Sequence, residues 1–125
     1  MSKPEDLTRQ RKLEAFLKDS TTPGSIKTAF EIQGDDRSLM AKAMRAAELG
    51  SPPLVAAFAL RLGLPHDAAL ELVAQSWGNL SVLRQRIAEE NKVLTVNEGL
   101  QGNDGGFNNL ASAAEAKAAE IRKLI

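Results

Sequence analysis

The chain has 125 residues with 16 basic and 16 acidic side chains, no cysteine, and a net charge of zero counting its one histidine as neutral. That length fits one domain able to bury a core without staples. The charge balance disfavours non-specific binding to nucleic acid or a membrane surface, and the missing cysteines exclude disulfides, thiolate nucleophiles and thiolate metal sites.

The chain opens with Ser2-Lys3-Pro4-Glu5, which reads as a capping box with proline early in the helix. A helix is expected over about residues 3–18, with Leu13, Phe16 and Leu17 as a narrow apolar stripe beside Arg9, Arg11, Lys12, Glu5, Asp6 and Glu14. This makes residues 1–18 an N-terminal arm helix. No apolar run follows the first charges, so no secretory leader is visible in the sequence.

Asp19 to Gly24 is a run of turn formers. Ser25 is placed to cap a short helix carrying Ile26, Ala29 and Phe30, with Gly34 as its stop. Asp35 or Asp36 caps the next helix, where Met40, Ala43, Met44 and Ala47 share one face and Gly50 marks the end.

Ser51-Pro52 then starts a helix that Gly63 terminates. Leu54 to Leu60 is apolar around the whole circumference, and a helix with no polar face must be enclosed on nearly all sides. This helix is expected at the centre of the fold. The run is far too short to span a bilayer. Pro65 begins a successor carrying Ala69, Leu70, Leu72, Val73 and Trp77, with Gly78 as its stop. Asn79 or Ser81 would cap a further helix, with Leu80, Leu83 and Ile87 inward and Arg84, Arg86, Glu89 and Glu90 outward.

Beyond Lys92 the pattern weakens, and Val93, Leu94 and Val96 fit either a helix end or a short extended piece. Residues 99–106 read as a flexible Gly/Asn loop. Asn108 or Asn109 caps a last helix, with Leu110, Ala113, Ala114, Ala118, Ile121 and Ile125 as its stripe. The expectation is an all-α, compact bundle of about six or seven short helices with tight Gly/Pro turns, packed orthogonally or pairwise in a HEAT-like manner. Residues 25–98 form its helical core and 107–125 a C-terminal docking helix.

Residues 58–75 resemble a helix-turn-helix, with Gly63 in the turn. A recognition helix presents Arg, Lys, Asn or Gln to base edges near its start. His66, Asp67, Ala68, Ala69 and Glu71 stand there instead, and two carboxylates repel phosphate. His66 is the only histidine, and no pattern supplies a nucleophile or second base beside it. Asp35-Asp36 and Glu89-Glu90 lack the oxygen spacing of a calcium loop. The glycine-rich loop lacks the preceding strand and Lys-Ser/Thr of a phosphate loop.

No catalytic residue, metal ligand or cofactor site is expected. The reading is a small cytoplasmic protein that acts through protein–protein contact, as an adaptor, regulatory subunit or inhibitor. Its partner would be another protein, itself, or both, with no membrane and with nucleic acid disfavoured. Leu13, Phe16 and Leu17 on the arm, and Leu110, Ile121, Leu124 and Ile125 on the last helix, are the expected binding residues because their stripes are thin. A DNA-binding regulator using residues 54–77 and an enzyme without a recognisable motif are the alternatives.

Overall fold

The computed structural model describes the backbone of residues 4–98 and 105–125, and the side chains of residues 7–90 and 108–125. Six α-helices and no strand occur among the described residues. They are α1 (Pro4–Asp19), α2 (Pro23–Glu31), α3 (Asp36–Glu48), α4 (Pro52–Leu62), α5 (His66–Glu98) and α6 (Gly105–Leu124). The fold is the expected all-α bundle. Ser2 at the head of the first helix and residues 99–104 of the expected loop lie outside the described residues.

Local chemistry sets most boundaries. Thr22, rather than Ser25, is the N-cap of α2: its hydroxyl accepts from Ser25 N at 3.1 Å, and Ser25 Oγ accepts from Thr22 N at 2.9 Å. The serine is the reciprocal arm of a capping box one turn further in. Asp35 caps α3 by accepting from Ser38 N at 2.8 Å. Gly50 and Gly63 end α3 and α4 in the left-handed region, with φ of 71° and 65°. Gly50 has a second reason to lack a side chain, because a Cβ there would sit 3.1 Å from the Leu80 backbone.

The apolar circumference of α4 is used as expected. The helix touches α1, α2, α3 and α5 and divides two apolar clusters. Val55, Ala56 and Ala59 join Leu13, Leu17, Ala46, Ala47, Leu70, Val73 and Ile121 in one cluster, while Ala57 and Phe58 join Ala29, Leu39 and Ala43 in the other. Arg61, at the end of α4, donates to the Ala29 carbonyl at 2.6 Å and to that of Ile32, so one guanidinium closes the end of α2.

Several expected faces and breaks are corrected. On α3 the buried face is Leu39, Ala43, Ala46 and Ala47; Met40 is half-buried and Met44 exposed. The two stripes differ by about one residue's rotation, and the position of α4 selects between them. Gly78 does not stop a helix. Residues 66–98 form one helix with helical backbone through Gly78, Val93, Leu94 and Val96. A glycine ends a helix only where the chain must turn; here tertiary packing on α6 carries the helix on at a cost of about 1 kcal/mol. Leu83, expected inward, is exposed, and Leu80 and Ile87 are half-buried. The last helix begins at Gly105, before either asparagine.

Helix α5 is about 50 Å long at ~1.5 Å per residue and forms an antiparallel hairpin with α6. The register is set by Ser81 Oγ donating to the Ala111 carbonyl at 2.9 Å and Arg84 Nη1 donating to the Leu110 carbonyl at 3.0 Å. Arg122 Nη2 stands 3.6 Å from Glu71 Oε1 further along. On α6 the buried residues are Ala111, Ala114, Ala118 and Ile121, alternating in steps of three and four. That is the spacing of a two-helix seam. Such short side chains let a serine hydroxyl on one helix reach a backbone carbonyl on the other.

Candidate functional site

The arm helix and the terminal helix, the two surfaces the sequence nominates for binding, are turned onto the bundle and onto each other. Leu13 and Leu17 are 1% exposed and Ile121 is fully buried, all in the main cluster. Phe16, Leu124 and Ile125 are half-buried against the same cluster. Lys117 Nζ of α6 lies 4.6 Å from the centroid of the Phe16 ring, and Arg9 Nη2 donates to Ile125 O at 3.2 Å. Arg9 also approaches Asp67 at 3.5 Å. Of the seven nominated residues only Leu110 is exposed. Six of the seven residues nominated for partner binding are thus covered, wholly or in part, by this chain itself.

His66 has a structural setting. Its Nδ1 lies 3.0 Å from Gln10 Oε1, and with Asp67 it lines a small notch where α1 meets the start of α5. No hydroxyl nucleophile lines that notch. Glu14, nearby on α1, has its carboxyl held below the ordinary value chiefly by the hydrogen bond and charge of Lys18, with a smaller contribution from His66. Among the described residues no group of three or more His, Asp or Glu is disposed to hold a metal ion, and no helix is long and apolar enough to cross a membrane. Among the described residues, the buried side-chain polar atoms without a hydrogen-bond partner are Ser76 Oγ and Trp77 Nε1.

Leu7, Phe30, Met44 and Leu110 are exposed singly, whereas three other exposed apolar residues share one depression. Leu49, after the end of α3, and Val82 and Leu83 on α5 are 60%, 53% and 44% exposed. They line one depression together with Glu48, Asn79 and Arg86. The close approach at Gly50 and a hydrogen bond from Asn79 Nδ2 to the Ala47 carbonyl at 2.9 Å fix the end of α3 beside this part of α5. On the other flank of Val82, two further depressions follow the α5–α6 seam. One runs toward Glu89, Asn108 and Ser112, and the other toward Gly78, Glu115 and Arg122. Val82 borders all three, so they form one open face with an apolar centre and charged margins.

Sequence reasoning passed over this face because Leu83 sits at helical spacing with Leu80 and Ile87, and that spacing usually denotes packing. The signal that distinguishes it is Val82. A valine directly beside Leu83 extends the apolar arc past what one neighbouring helix can cover. No protein-family model matches the chain, and neither a curated protein nor a solved structure shows significant similarity to it.

Proposed function

We propose that the chain acts by binding protein, through the face formed by the end of α3, the outer side of α5 and the α5–α6 seam. The observation that carries this reading is the grouping of Leu49, Val82 and Leu83, all large and all substantially exposed, on one rigidly held surface. Contiguous exposed apolar residues rimmed by polar ones are characteristic of protein contact sites. The rim is mixed in sign, with Glu48, Arg86, Glu89, Glu115 and Arg122, which suits a protein partner better than the uniform negative charge of nucleic acid.

The role is that of an adaptor, regulatory subunit or inhibitor working in the cytoplasm, since a cysteine-free chain is at home in a reducing compartment. The recognition-helix alternative has little support: Asp67 and Glu71 at the start of α5 are engaged by Arg9 and Arg122, and both are acidic.

The test is affinity capture from the native host with wild-type chain and Val82→Asp as parallel baits. A protein retained by the wild type and lost from the variant supports the reading. Equal retention by both baits places any binding on another surface and contradicts it.

A further inference from the structure

We draw no further inference here: the strongest candidate, the exposed apolar face of Leu49, Val82 and Leu83 between the end of α3 and the outer side of α5, belongs to the site already described, and nothing in the structure shows what covers it.

Discussion

Lys117 on α6 places its ammonium 4.6 Å from the centroid of the Phe16 ring on α1, joining helices from opposite ends of the chain. The contact turns two thin apolar stripes into one internal interface. A Phe16→Ala substitution should lower unfolding free energy by about 2 kcal/mol, less than a fully buried phenylalanine because the ring is half exposed. Lys117→Ala should cost about 0.5 kcal/mol, and a double-mutant cycle should show coupling of similar size. Leu17→Ala, at a site with almost no exposure, should cost about 2–4 kcal/mol. Denaturant unfolding checks all three. A Leu17→Ala variant as stable as wild type would mean that the arm is not docked.

Gly50 and Gly63 share a left-handed backbone but differ in surroundings. A Cβ at Gly63 meets nothing within 4 Å, whereas at Gly50 it meets the Leu80 backbone at 3.1 Å. Gly63→Ala should therefore cost only the backbone strain, about 1 kcal/mol. Gly50→Ala should cost about 2–4 kcal/mol, since Leu80 must also move. Thermal unfolding of the pair measures the difference, and equal losses would contradict the close approach of α3 to α5.

Gly78 lies inside a continuous helix with nothing within 4 Å of a would-be Cβ. Gly78→Ala should stabilise the chain by up to about 1 kcal/mol through the higher helix propensity of alanine. If Gly78 instead ended a helix with positive φ, the substitution would destabilise.

Glu14 Oε1 accepts from Lys18 Nζ at 2.9 Å, and that contact lowers the carboxyl pKa. A lowered folded-state pKa favours the folded chain above the unfolded value, and this contribution disappears as pH falls through the folded one. Lys18→Ala should therefore move the Glu14 titration, followed by carbon-13 NMR, up toward the ordinary glutamate range. No movement would place the cause elsewhere.

The central position of α4 was legible because an apolar circumference has only one physical solution. The caps at Asp35, Gly50 and Gly63 were legible because the backbone groups they satisfy are local. The course of α5 was not, since Gly78 followed by Asn79 and Ser81 has the chemistry of a helix end. Asn79 and Ser81 instead bond to the distant carbonyls of Ala47 and Ala111. Nor was the choice between cis and trans cover for Leu13, Phe16 and Ile121 legible. A stripe records that a face is buried, while the chain's own path decides by what. Leu83 was hidden by the same ambiguity in reverse, at core spacing with Leu80 and Ile87 but beyond the reach of the core.

The most direct measurement uses the absence of native cysteine. Val82→Cys and, as an exposed control on the α2–α3 connection, Gln33→Cys carry a photoactivatable cross-linker on the thiol and are illuminated at equal concentration in lysate of the native host. The account predicts that Val82→Cys captures a host protein covalently, because position 82 lies at the centre of the proposed binding face, and that Gln33→Cys captures little of it. Equal cross-linking of both variants, or none at position 82, would contradict it.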